Sequence, residues 1–117
     1  MKLKTNYGKV VTGHKKATDA GIRILKEGGN AIDAAIAAAL LQGLLEPQMA
    51  GIGGDCFILL SPAGSDEIIA LNGSGRAPNK IDAEKIRDTG HSVMPLRGVE
   101  SITMPGAIDA FCRLSAD

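Results

Sequence analysis

The segment that most narrows what this chain can fold into is AIDAAIAAALLQGLL, residues 31–45, which is apolar everywhere except Asp33, Gln42 and Gly43. It contains no helix breaker. At helical spacing, Ile32, Ala35, Ile36, Ala39, Leu40, Gly43 and Leu44 share one face, while Ala34, Ala37 and Ala38 keep the other sides small. A helix this smooth can be approached closely from several directions, which suits the interior of a layered structure. At about fifteen residues, with Asp33 and Gln42 inside it, the segment is too short and too polar to read as a membrane span.

Its flanks supply the neighbouring elements. Upstream, Ala17, Ala20, Gly21, Ile24 and Leu25 form the stripe of an amphipathic helix that Gly28-Gly29 ends, with Lys26 in its last turn. Asn30 is placed to cap the second helix, and Asp33 stands where the acid of a capping box belongs. The expectation is two antiparallel helices joined by a Gly-Gly-Asn corner, with the second sandwiched. Downstream, Cys56 to Ser61 (CFILLS) and Glu67 to Asn72 (EIIALN) read as strands joined by the turn-rich PAGSD, an antiparallel hairpin whose continuous apolar runs suggest two covered faces. Then come the loop GSGRAPNK, a short helix near Asp82 to Asp88, an irregular stretch through Pro95, an extended SITM and a last helix entered at Pro105-Gly106. The final residues, FCRLSAD, fall in or just after that helix without the usual Gly or Pro, and read as an interrupted chain.

With 117 residues and 44% apolar content the expectation is one modest core, a partial single domain over residues 1–117 with no second domain. Trp is absent and the aromatics are Tyr7, Phe57 and Phe111, so Ala, Ile, Leu and Val must fill the interior. Thirteen basic and thirteen acidic residues cancel, which argues against partners that need a strong field, nucleic acid and anionic membrane among them. Cys56 and Cys112 lack CxxC spacing or clustered histidine, so they read as two buried thiols, with neither a metal site nor a disulfide framework. No cofactor is indicated. MKLKTNYGK lacks the apolar run of a signal peptide, and a cytoplasmic location is the expectation.

The stretch MAGIGGDCFILL invites a nucleotide-binding reading. A phosphate cradle needs its glycines after a strand and before a helix. Here the order is reversed, GK[ST] is missing, and Asp55 would repel a phosphate. Gly51, Gly53 and Gly54 read instead as a structural helix-to-strand turn that uses positive φ and close backbone packing.

Taken together, GKVVTGHKKATDAGIRILKEGGNAIDAAIAAALLQGLLEPQMAGIGGDCFILL, LNGSGRAP and SITMPGAIDAF resemble the start of the large subunit of the γ-glutamyltransferase (γ-glutamyltranspeptidase) family. The resemblance implies an α+β fold, the N-terminal part of an αββα N-terminal nucleophile hydrolase sandwich, incomplete here. It implies a self-cleaving zymogen whose exposed Thr attacks a γ-glutamyl amide such as glutathione, with its own α-amine as base. The partners implied are a small-molecule amide substrate and the remainder of the large subunit with the small subunit of the same precursor.

Two departures qualify that picture. The threonines Thr5, Thr12, Thr18, Thr89 and Thr103 lie in nothing like the family's cleavage motif, so the nucleophile is assigned to downstream sequence and the chain alone is expected to be inactive. The rival reading is a stand-alone, non-catalytic fragment from a truncated gene. The family also holds the substrate carboxylate with an Arg inside a pattern close to LDFRExAP, where this sequence reads LNGSGRAP. Ser74 therefore stands at the Arg position, and a serine offers one neutral hydrogen bond in place of a charged fork. If the stretch is extended, Arg76 points to the same side as Ser74 and reaches an acidic group of a different or displaced substrate. The alternative for Arg76 is a solvent-facing side chain or a structural ion pair. The resemblance thus moves the expected substrate from glutathione towards an acylated amine or a small oxo-acid amide. Of the remaining polar residues, His14 and His91 read as surface or capping histidines, Asp33 as a cap, and Asp55 as a paired structural carboxylate.

Overall fold

The computed structural model describes residues 8–116; Thr5, Tyr7, the rest of the N-terminal segment and Asp117 lie outside the described residues. The described chain is α+β, with four α-helices and one two-stranded antiparallel sheet. Helix α1 spans Lys15–Lys26 and α2 spans Ala31–Leu45. Strands β1 (Cys56–Leu60) and β2 (Ile69–Gly73) follow, then α3 (Ala83–Asp88), a 3-10 turn at Val99–Ser101 and α4 (Ala107–Ala116).

Local hydrogen bonding sets the helix ends. His14 caps α1 with its ring, accepting from the Lys16 amide at 3.1 Å. At the other end Gly28 takes a φ of +96°, and its amide and that of Gly29 return to the carbonyls of Leu25 and Ile24, closing the last turn. Asn30 then starts α2 with a full capping box. Its side chain accepts from Ile32 and Asp33, and the Asp33 carboxylate accepts from the Asn30 amide at 2.9 Å. Asp82 caps α3 with its carboxylate alone, accepting from the Glu84 and Lys85 amides.

The α1–α2 pair meets through small residues. A Cβ on Gly21 would lie 3.1 Å from the Ala34 carbonyl, so glycine there lets the two helices close on each other. The buried apolar residues are Ala17, Ala34, Ala38, Ala107 and Ala110. On α2 the best-buried line is therefore Ala34 and Ala38, on the small side of the helix and off the face that carries Ile32, Leu40 and Leu44, and Leu44 is 76% exposed. The reason is geometric: an alanine face admits the backbone of α1 more closely than a leucine face. Helix α2 also touches α4.

The hairpin forms with Cys56 opposite Gly73 and Leu60 opposite Ile69. Its second strand begins later than Glu67, and Ser101 belongs to the 3-10 turn, not to an extended SITM. Only one face of the sheet is covered. Cys56, Ile58 and Leu60 are half-buried, while Phe57 and Leu59 on the opposite face are 71% and 77% exposed. The expectation of two covered faces does not hold in the chain by itself.

The outline reflects this openness. The radius of gyration is 17.6 Å, against about 13 Å for a closed domain of this length. Accessible surface is 9171 Å², against roughly 6000 Å² for a folded monomer of this mass. No helix among the described residues is long and apolar enough to cross a membrane. The chain on its own should elute well above 12.1 kDa on gel filtration and bind a hydrophobic dye such as ANS. Replacing both Phe57 and Leu59 by Lys should reduce the two signals together; a dye-negative monomer would contradict an open apolar face.

Candidate functional site

Helix α2 ends at Leu45 with Glu46 as its C-cap, and the chain turns through residues 47–55 into β1. The Gly54 amide closes one turn on the Gly51 carbonyl at 3.2 Å. The Gly54 carbonyl then accepts two amides at the start of α4, Gly106 at 3.1 Å and Ala107 at 2.9 Å. These donors belong to a helix N-terminus, whose first N–H groups have no partner within the helix. The next residue, Asp55, accepts the Gly75 amide at 2.8 Å on Oδ1, and the Thr103 hydroxyl stands 3.5 Å from the same oxygen. Beyond it, the Met104 amide donates to the Arg76 carbonyl at 2.9 Å. Three segments distant in sequence, GIGGDC, NGSGRA and TMPGA, thus meet at one junction.

Gly51, Gly53 and Gly54 depart from the expected positive φ and close packing. Positive φ occurs at Gly8, Gly28, Gly64, Gly90 and Gly98, not at this corner. A Cβ on Gly51 or Gly53 would meet nothing within 4 Å, and one on Gly54 only the Gly51 carbonyl at 3.6 Å. The turn exists, but ordinary backbone angles make it, and its outer side is open. Close approach here depends on Gly43 of α2, where a Cβ would come within 3.1 Å of the Gly51 Cα. The glycines of the junction whose Cβ would collide with backbone are Gly73, Gly75 and Gly106. A Cβ on Gly73 would lie 2.6 Å from Ala110 Cβ, and one on Gly106 only 2.6 Å from the Gly75 amide nitrogen. On Gly75 it would run into the Met104 carbonyl and the Thr103 side chain. Periodicity does not reveal these positions; the visible signal was the glycine spacing in NGSG and PG, whose contacts are all long-range.

Ser74 and Arg76 are both exposed and flank the half-buried Gly75, the alternation expected of an extended stretch. The Ser74 amide donates to Asn72 Oδ1 at 2.9 Å. Arg76 is in none of the ion pairs found among the described residues. Those pairs, Lys15–Asp19, Arg23–Glu27, Lys85–Asp82 and Arg113–Asp109, are exposed contacts within or at the cap of a single helix. The structural ion pair weighed for Arg76 is thus not formed here. Neither Ser74 nor Arg76 lines the two grooves beside α2. The larger groove, about 1020 Å³, runs between the C-terminal end of α2, the 47–56 corner and Phe111 of α4, and the smaller, about 590 Å³, lies between residues 8–13 and α2.

Other candidates fall into place around this junction. Asp55 accepts hydrogen bonds rather than pairing with a cation. Among the described threonines, Thr12 bonds His14 and Thr18, Thr89 bonds the Ile86 carbonyl, and Thr103 faces Asp55. The two cysteines are free but not both buried: Cys56 is half-buried and Cys112 exposed, because α4 turns its Cys112 side away from the sheet. Burial pushes the Cys56 thiol up from its ordinary value. No cluster of three or more His, Cys, Asp or Glu suited to a metal occurs among the described residues.

The family model for gamma-glutamyltranspeptidases matches residues 17–117. The glutathione hydrolase-like YwrD proenzyme of Bacillus subtilis is 41% identical over 103 residues, 87% of this chain and 19% of that protein. The oxamate amidohydrolase proenzyme of Klebsiella pneumoniae is 34% identical over 117 residues, 97% of this chain and 22% of its own length. Among solved structures, the gamma-glutamyltranspeptidase of Helicobacter pylori superposes with a TM-score of 0.84 at 27% identity, covering 99% of this chain and 34% of the other. The chain spans about a fifth of the length of the curated relatives it matches.

Two outcomes follow from the geometry. Gly53→Ala should shift stability by no more than about 0.5 kcal/mol, and Gly106→Ala should cost about 2 kcal/mol or more because its Cβ overlaps backbone; urea denaturation of the two variants checks the contrast. Iodoacetamide should modify Cys112 before Cys56 in a timed mass-spectrometric assay, since burial both restricts access to the Cys56 thiol and disfavours its thiolate.

Proposed function

The chain belongs to the gamma-glutamyltranspeptidase family, and on that footing we propose that it forms the N-terminal part of an amide-cleaving or acyl-transferring enzyme. In this reading residues 1–117 are one portion of a single domain, and a threonine nucleophile comes from downstream sequence freed by self-cleavage. The remainder of the large subunit and the small subunit then cover the exposed Phe57–Leu59 face and the groove beside Phe111. The observation that carries the reading is the union of the family match with an open apolar sheet face. An antiparallel hairpin alone is marginal in water and gains its stability from packing on both sides. A cytoplasmic location belongs to the same proposal.

Ser74 and Arg76 bind the substrate in this proposal. The Asp55 bond and the lack of room at Gly75 hold the loop between them, and the Arg76 guanidinium is not committed to another group among the described residues. A guanidinium is a charged, planar donor suited to a carboxylate, and the Ser74 hydroxyl adds one neutral bond. The substrate class is a small amide carrying a negative charge close to the scissile bond. The oxamate named in the Klebsiella relative is a compound of that kind, with carboxylate and amide on adjacent carbons.

The test uses the chain together with its downstream sequence. The purified product should separate into two polypeptides and release amine or ammonia from anionic amides, whereas the 117-residue chain alone should show no turnover. Arg76→Ala should raise KM for an anionic amide by about tenfold or more, the loss of a charged hydrogen bond, with kcat little changed. Ser74→Ala should have a smaller effect. An unchanged KM in Arg76→Ala would remove Arg76 from the binding site, and an uncleaved, inactive product would remove the enzymatic reading.

A further inference from the structure

We infer that Asp55 is the positioning residue of this site: its carboxylate fixes the direction in which Ser74 and Arg76 leave the backbone. The inference rests on the substrate role proposed above for those two residues. It does not make Asp55 a group that touches substrate.

Strand β2 ends at Gly73, so from Ser74 onward no ladder hydrogen bond holds the chain. The first long-range partner after the strand is Asp55, which accepts the Gly75 amide at 2.8 Å. The contact crosses 20 residues of sequence and joins the start of β1 to the chain leaving β2. The same oxygen faces the Thr103 hydroxyl at 3.5 Å, which brings the segment before α4 against the other side of the loop. One residue on, the Arg76 carbonyl is held by the Met104 amide at 2.9 Å. Gly75 is thus gripped by its amide, and its neighbour by its carbonyl, while Met104 and Thr103 occupy the space where a Cβ would stand.

These constraints remove rotation at the residue between the two proposed binding side chains. With the amide of Gly75 turned towards Asp55, the side chains of residues 74 and 76 are left on the exposed side of the loop. A carboxylate suits this task because it accepts on one oxygen from an amide and a hydroxyl at once, and its bonds are charge-assisted. Gly54, immediately before it, is itself tied to the start of α4, so Asp55 stands on an anchored backbone. No other carboxylate bonds to the loop of residues 74–78 among the described residues.

The test is a double-mutant cycle in the self-processed protein, with KM and kcat for oxamate as probe and melting temperature recorded beside them. Asp55→Ala in the otherwise native enzyme should raise KM about three- to tenfold with kcat within about twofold, and Asp55→Asn, which keeps an acceptor, should fall between. The deciding readout is the Arg76→Ala background: a residue that acts through Arg76 adds no further rise in KM there, while a merely structural residue adds its full effect. Additive effects, an unchanged KM in Asp55→Ala, or a fall in kcat alone would each overturn the inference. If Asp55→Ala does not fold, Asp55→Asn carries the same cycle and the same criteria. Failure of the binding reading is seen separately, as an unchanged KM in Arg76→Ala alone.

Discussion

The hydrogen bonds at Gly54 and Asp55 join parts of the chain that local structure leaves apart. The α1–α2 pair is closed by its own caps and alanine seam, and the hairpin by its own ladder; neither determines where α4 or the 74–78 loop should lie. Two amides at the head of α4 end on the Gly54 carbonyl, and the next side chain ends on the Gly75 amide. These bonds draw the helix pair, the hairpin exit and the last helix to one point. The apolar contacts at that point involve little more than Ala107 and Ala110. Bonds here cannot be exchanged for water without also losing the close packing of Gly73, Gly75 and Gly106, so the polar and steric constraints reinforce each other.

A core made of alanines has a further consequence. Alanine loses no side-chain entropy on burial but removes little apolar area, on the order of 25 cal/mol per Å² of what it covers. The larger side chains, Phe57, Leu59 and Leu44 among them, are left facing outward. A chain that folded by itself would be expected to invert this, with leucines and aromatics inside. The observed order is that of a layer built to receive another layer. The small residues set the distance between its own elements, and the large ones wait on the surface that a partner layer would cover.

The parts legible in the sequence were those governed by neighbours within about five positions. The Asn30–Asp33 capping box, the Gly28-Gly29 stop, the Asp82 start of α3 and the entry to α4 at Pro105-Gly106 all appear where the pattern placed them. The hairpin was equally visible, though its second strand starts later than its apolar run. What could not be read was set by distant contacts. Periodicity set Ile32 to Leu44 on one face of α2 and the alanines on the others, but it weighs hydrophobicity and not distance of approach, and α1 selected Ala34 and Ala38. The corner glycines drew attention by clustering, yet the positions where a side chain would strike backbone were Gly73, Gly75 and Gly106, whose obstacles lie in other segments. Asp55 looked like a paired carboxylate, and its hydrogen-bond partners, Gly75 and Thr103, could not be found from spacing.

Family membership constrains the fold far more tightly than the substrate, and the junction explains why. The bonds at Gly54, Asp55 and Arg76 are made by backbone groups and one carboxylate, and they leave the side chains at positions 74 and 76 free to vary without disturbing the packing. A scaffold whose geometry is carried by backbone can exchange those two side chains at little structural cost, which under the proposed binding role would redirect recognition from one amide to another. That independence fits relatives named for both a glutathione hydrolase-like activity and an oxamate amidohydrolase on a shared framework. Moving a guanidinium from position 74 to position 76 shifts the charge along the strand direction by roughly 7 Å, two residues of extended chain. Under the proposed binding role for residues 74 and 76, a substrate held by the same scaffold would carry its negative charge at a different distance from the bond that is cut, and the placement of that arginine along the loop would select the length of the acid that fits.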